Sequence, residues 1–165
     1  CKPPVCVREL SAVLDYAEGR WKRSGLFAVS MGAYFSLLAC RDRKVEHAWF
    51  LSPVVDMERL TRDMMTWFQI SEARLEAEGS IPTPMGQTLC WDDYCYIRRH
   101  SIDRWSCPTD ILRGTGDTLV AEETVTAFAE RFGCRPRAAE GAGHWFHTPE
   151  ELEALSAWLR ETASF

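Results

Sequence analysis

Apolar residues recur at steps of three and four along residues 6–21, at Val7, Leu10, Val13, Leu14, Ala17 and Trp21. One face of a helix repeats in that way, so the spacing predicts an amphipathic helix. Gly25-Leu26-Phe27-Ala28-Val29 then runs apolar without alternation, the pattern of a strand buried on both faces in a parallel sheet. Residues 31–40 read as a second helix, and residues 45–51 as a second strand halted by Ser52-Pro53. From Thr109 to Arg113 and from Arg135 to Ala139 two more short strands are expected. A helix over 122–132 separates them, with Val125, Phe128, Ala129 and Phe132 on one side. The closing helix, 149–160, has Thr148 as its N-cap and Pro149 in its first turn. Four strands alternating with helices predict an α/β fold, with a parallel sheet of about four strands and flanking helices joined by right-handed crossovers.

Residues 57–105 break this rhythm. They are rich in Met, Trp and Tyr and are interrupted by Gly79-Ser80-Ile81-Pro82-Thr83-Pro84-Met85-Gly86. Helices are expected near 57–68, 71–77 and 92–100, with one short strand at 88–90. The segment reads as a helical insertion between two parts of a core, residues 1–56 and 106–165.

Composition changes this picture little. The 165 residues are 46% hydrophobic and 26% charged, ordinary for one globular domain. A net charge of −5 without a basic run argues against nucleic acid or a membrane as partner. No apolar stretch reaches transmembrane length, and no leader pattern opens the chain. Seven cysteines with no C-x-x-C pair read as free thiols in a reducing cytoplasm, and zinc is not expected at Cys90 and Cys95, which lack a partnering His.

The candidate chemistry lies just beyond predicted strands, where open α/β sheets keep their sites. Ser30 follows the first strand in Ala28-Val29-Ser30-Met31-Gly32 and precedes a helix pattern. Asp117 ends Ile111-Leu112-Arg113-Gly114-Thr115-Gly116-Asp117, and His144 follows Glu140-Gly141-Ala142-Gly143. A serine hydroxyl needs a neighbouring base to become a nucleophile, and the base needs an orienting acid. Asp56, at the end of the preceding strand, is an alternative acid. His147 reads as a polar residue at a helix entry, His47 as a strand residue and His100 as part of the insertion.

The order Ser, Asp, His is that of the α/β-hydrolases. On these residues the chain resembles that superfamily, and most of all single-domain bacterial esterases and lipases. The resemblance runs over nearly all of the chain but covers the C-terminal two-thirds of such a fold. Ala28 stands where the G-x-S-x-G elbow has its first glycine, a position that requires a small residue. The resemblance implies that the strands are the fifth to the eighth of eight and that 57–105 is a cap or lid. It also implies a catalytic Ser30, Asp117 and His144, with the Met31 N–H as one oxyanion donor and a second donor upstream. Trp67, Phe68, Trp91 and Tyr94, with adaptable Met57, Met64, Met65 and Met85, are expected to form an apolar acyl or aryl pocket.

The chain opens Cys1-Lys2-Pro3-Pro4, directly on a helix pattern and without methionine, so a truncated or partial sequence is expected. The first strand would then present an exposed sheet edge through which the chain forms a homo-oligomer. The expected function is hydrolysis of a small or medium carboxylic ester or thioester, a small-molecule substrate, with no cofactor. An aminopeptidase or amidase on the same scaffold and a non-catalytic binding module remain as alternatives.

Overall fold

The structure is a computed structural model that describes residues 2–163. In chain order it contains α1 (Pro3–Glu18), β1 (Gly25–Val29), α2 (Met31–Ala39), β2 (His47–Leu51), α3 (Met57–Trp67) and α4 (Glu72–Glu78). There follow β3 (Ser80–Pro82), β4 (Thr88–Cys90), α5 (Trp91–Arg99), β5 (Thr109–Gly114), α6 (Glu122–Phe132), β6 (Arg135–Ala139) and α7 (Pro149–Thr162).

The main sheet is four-stranded and wholly parallel, in the order β1-β2-β5-β6. Its register explains the uninterrupted apolar runs. Ala28, Phe50 and Ile111 lie opposite one another and enter the larger core with α2 and α6. The alternate residues Trp49, Leu51 and Leu112 enter a second core against Trp158 of α7. The central strands therefore need apolar side chains on both faces. Full burial of a side chain such as Phe50 contributes about 1.5–3 kcal/mol, which favours keeping β2 in the centre.

The edges differ. β6 carries Arg135, Pro136 and Arg137, an edge blunted by charge and by a missing N–H donor. At the opposite edge, Phe27 and Val29 of β1 are exposed. Asp110 is buried at the start of β5. It accepts two hydrogen bonds from Arg135 and lies 2.7 Å from His47 Nε2, which ties the N-terminal ends of three strands together.

Several expectations need correction. The first helix begins at Pro3 and ends at Glu18, so Trp21 lies beyond it and is exposed. Its inner face retains Leu10, Leu14 and Ala17, while Val13 turns outward. The insertion holds a β-hairpin rather than one strand: Ser80–Pro82 pairs antiparallel with Thr88–Cys90 around a turn with Gly86 at φ 76°. Cys6, in the first turn of α1, is disulfide-bonded, against the expectation of free thiols throughout. A disulfide needs two Cβ atoms at the right separation and direction, which local geometry decides and composition does not. Cys1 lies outside the described residues. Cys40, Cys90, Cys95, Cys107 and Cys134 are free. Burial pushes the Cys40 and Cys134 thiols up to about 11, so both remain protonated core side chains. Among the described residues no helix is long and apolar enough to cross a membrane.

Candidate active site

The backbone ladders run one residue past the strand ends and fix the loops there. Ser30 N–H donates to Leu51 O (3.0 Å), Ser52 N–H to Leu112 O (2.8 Å) and Thr115 N–H to Ala139 O (3.0 Å). Ser30 stands between β1 and α2 with φ 52° and ψ −126°. Such a backbone costs a non-glycine residue about 1–3 kcal/mol. Its carbonyl accepts from Ala33 and Val54 N–H, both at 3.0 Å, so the strained residue is held from both sides. Ala28 is buried, which fits the need for a small side chain before the turn. Gly32 has open space where a β-carbon would be, so its surroundings do not demand glycine. Met31 is the first residue of α2, and its N–H has no acceptor within the helix by position.

The Asp117 and His144 loops are zipped together. Gly116 N–H donates to Ala142 O (2.9 Å), and Gly141 N–H donates to Thr115 Oγ1 (2.7 Å). A β-carbon on Gly114 would collide with the Ala142 carbonyl. Glycine at 114 thus allows the two loops to touch.

This framework joins Ser30, His144 and Asp117 in one hydrogen-bonded chain. His144 Nδ1 lies 2.8 Å from Asp117 Oδ2, and His144 Nε2 lies 2.9 Å from Ser30 Oγ. The side chains of His144 and Asp117 are only 4% and 2% exposed. The other Asp117 oxygen accepts N–H bonds from Leu119 (2.9 Å) and Val120 (3.1 Å). Burial alone would raise this carboxyl. The hydrogen bond with His144 and those from Val120 and Leu119 outweigh it and hold the group below the ordinary carboxylate range. An ionised carboxylate only accepts, so the proton of the neutral ring sits on Nδ1. Nε2 is left as an acceptor for the Ser30 hydroxyl.

The rivals lie elsewhere. Asp56 is the N-cap of α3 and accepts from Arg59 N–H at 2.9 Å. His47 pairs with Asp110 at the other end of the sheet. His100 Nδ1 is 2.7 Å from Tyr96 O, and the His147 side chain is 74% exposed.

A cavity of about 500 Å³ opens at Ser30 and Met31 and extends beneath the insertion. Met57, Leu60 and Met64 of α3 line it, together with Met85 and Leu89 of the hairpin. Of the four aromatics expected there, only Tyr94 is part of the lining. Trp67, Phe68 and Trp91 lie outside it. The apolar stripe of α3 runs Met57, Leu60, Met64 and Met65, which leaves Trp67 off the stripe and 46% exposed. Phe68 and Trp91 pack on the core, and the Trp91 ring stands 5.9 Å from Tyr94. Met65 is buried away from the cavity.

Sequence reasoning missed two neighbours of His144. Trp145 meets the imidazole edge-on at 4.7 Å and lines the cavity while 66% exposed. Glu151 accepts from Gly143 and His147 N–H, both at 2.8 Å. Its signal was the run Thr148-Pro149-Glu150-Glu151, the T-x-x-E form of a capping box, and that box is present. Among the described residues no group of three His, Cys, Asp or Glu is placed to hold a metal ion.

No family model and no curated protein matches the sequence. Solved structures do. Est1E from Butyrivibrio proteoclasticus with bound ferulic acid superposes with a TM-score of 0.76 at 19% identity, over 95% of this chain and 67% of its own. Mouse alpha/beta hydrolase domain-containing protein 10 gives 0.76 at 15% identity, over 99% of this chain and 70% of its own. An esterase from Pyrococcus furiosus gives 0.67 at 18%, over 94% of this chain and 60% of its own.

Proposed function

We propose that this chain, which has the α/β-hydrolase fold, is a serine hydrolase that cleaves small or medium carboxylic esters through an acyl-enzyme. The observation that carries the reading is the unbroken Ser30–His144–Asp117 hydrogen-bond chain at the mouth of an apolar cavity.

Ser30 Oγ is the nucleophile and attacks the ester carbonyl carbon as its proton passes to His144 Nε2. Asp117 stabilises the resulting imidazolium without taking its proton. The tetrahedral oxygen develops negative charge near the Met31 N–H at the start of α2. A preorganised donor there lowers the barrier by about 3–4 kcal/mol. The imidazolium then protonates the departing alcohol, leaving an ester on Ser30. Water repeats the sequence: His144 takes its proton, the acid leaves, and Ser30 regains its hydrogen.

Residues 57–105 serve as the cap, and the methionine- and leucine-lined cavity receives the apolar part of the substrate. The site chemistry fits esters, thioesters and amides alike. Two observations favour an ester. One is the esterase titles of structural neighbours from Pyrococcus furiosus and Rhodothermus marinus. The other is the ferulic acid, a carboxylic acid, held by Est1E. No cofactor enters the mechanism. The test is turnover of p-nitrophenyl esters of increasing acyl length beside matched anilides. Ester hydrolysis that vanishes in Ser30→Ala supports the proposal. Anilide cleavage without ester cleavage would replace it with an amidase.

A further inference from the structure

We infer that Glu151 is a positioning residue whose carboxylate clamps the backbone on both sides of His144 and so holds the imidazole in line between Asp117 and Ser30. The inference rests on the hydrolase reading above only for its kinetic consequence.

The geometry is specific. Glu151 Oε1 accepts from Gly143 N–H at 2.8 Å, immediately before the histidine. Oε2 accepts from His147 N–H at 2.8 Å and Thr148 N–H at 2.9 Å, beyond it. In return Glu151 N–H donates to Thr148 Oγ1 at 3.3 Å, completing the helix cap. An ordinary capping box satisfies donors at the helix start. This one reaches further, across the loop, to a residue eight positions back.

The loop between the anchors needs such restraint. Phe146, two residues after His144, has φ 45°, a left-handed conformation that a bulky side chain rarely adopts. Such backbones persist where their surroundings over-determine them. The Phe146 side chain is buried against the α7-side core, and Glu151 holds the flanking N–H groups. The three backbone donors hold the Glu151 carboxylate down at about 2. It is therefore a full acceptor throughout the neutral range, with the exposed His147 ring 3.5 Å away. Among the described residues His144 hydrogen-bonds through its ring alone, to Asp117 and Ser30. The orientation of that ring depends on where the loop puts its Cα.

The test compares Glu151→Gln with Thr148→Ala and Glu150→Gln. In Glu151→Gln one acceptor oxygen becomes an NH2 that faces N–H donors. Thr148→Ala removes the cap hydroxyl but leaves the three N–H donors of the clamp and both Glu151 oxygens. Glu150→Gln removes an exposed first-turn charge. A displacement of about 1 Å in a reacting group can cost roughly a hundredfold. Glu151→Gln is accordingly expected to lower kcat on a p-nitrophenyl ester by ten- to a hundredfold, with KM nearly unchanged. The two controls keep kcat within about twofold, even if Thr148→Ala melts earlier. By proton NMR, the low-field Nδ1–H resonance of the His144–Asp117 bond should be present in the parent and both controls. In Glu151→Gln it should be broadened or moved upfield. If Glu151→Gln does not fold, Glu151→Asp takes its place, because a shorter carboxylate cannot span both anchors.

A folded Glu151 variant with parental kcat and an unmoved resonance would overturn the inference. An equal kcat loss in Thr148→Ala would overturn it too, because the effect would then belong to helix capping. Absent ester turnover in the parent would sink the hydrolase reading alone, since the resonance still decides the clamp.

Discussion

Gly114 and Ala142 touch so closely that a β-carbon on the first would overlap the carbonyl of the second. The contact joins the end of β5, which leads to Asp117, to the loop that carries His144. The pairing of Asp117 with His144 is therefore built into the backbone before either side chain is placed.

Gly114→Ala is consequently expected to act on activity as well as on stability. Forcing the two loops apart lengthens the 2.8 Å His144–Asp117 bond. Overpacking at a tight site costs about 1–3 kcal/mol, readable as a lower melting temperature. Ester turnover should fall at least tenfold in protein that remains folded, as for a displaced catalytic group. A Gly32→Ala control, at a site with open space, should melt within a few degrees of the parent. Equal damage from both substitutions would show that the close approach at 114 is unimportant.

The acid can be assigned by comparing two aspartates. Asp117→Asn should cost about four orders of magnitude in kcat, because a neutral amide no longer dictates the ring tautomer. Asp56→Asn should leave kcat near parental, since its carboxylate caps α3 through Arg59 N–H. Steady-state kinetics on a minimal ester checks both, and a larger loss at Asp56 would reverse the assignment.

Acyl preference should follow the residues that line the cavity. Leu60→Ala or Met64→Ala should move the optimum toward longer acyl chains, with little change on acetate esters. Trp67→Ala, at an exposed position outside the lining, should leave the chain-length profile unchanged. A profile altered by Trp67→Ala and not by Met64→Ala would place the acyl group elsewhere.

Acid sensitivity should trace in part to Glu151. Its carboxyl stands at about 2 in the folded chain against an ordinary 4.5. A depressed carboxylate contributes stability that is fully present above the ordinary value and is lost as pH falls toward the folded one. Asp117, also held low, acts in the same direction. Urea midpoints should therefore drop between about pH 5 and pH 2, and the drop should be smaller in Glu151→Gln. Identical pH dependence in the two proteins would show that the clamp bonds are not formed in solution.

What the sequence revealed follows from which interactions are local. β2 and β5 were legible because both faces of each strand are buried, so their runs do not alternate. β1 carries a similar apolar run, yet as an edge strand it leaves Phe27 and Val29 exposed instead of buried on both faces. The meeting of Ser30, Asp117 and His144 was legible because strand ends bring distant residues together in a parallel sheet. The pairing of Ser80–Pro82 with Thr88–Cys90 was not, because a three-residue strand containing Pro82 has no periodicity to detect. Trp67 and Trp91 misled because aromatic content says nothing about direction. The three- and four-residue spacing of Met57, Leu60 and Met64 already pointed to the inner face of α3. Glu151 was half legible. Its spacing from Thr148 marks a cap, but its reach to Gly143 exists only in three dimensions.

The most direct test of the central claim is covalent labelling of the folded chain with a fluorophosphonate, followed by peptide mass mapping. The account predicts one adduct, on Ser30, that is absent in Ser30→Ala and greatly slowed in His144→Ala. An adduct on another residue, or none in a chain whose melting curve shows it folded, would contradict it.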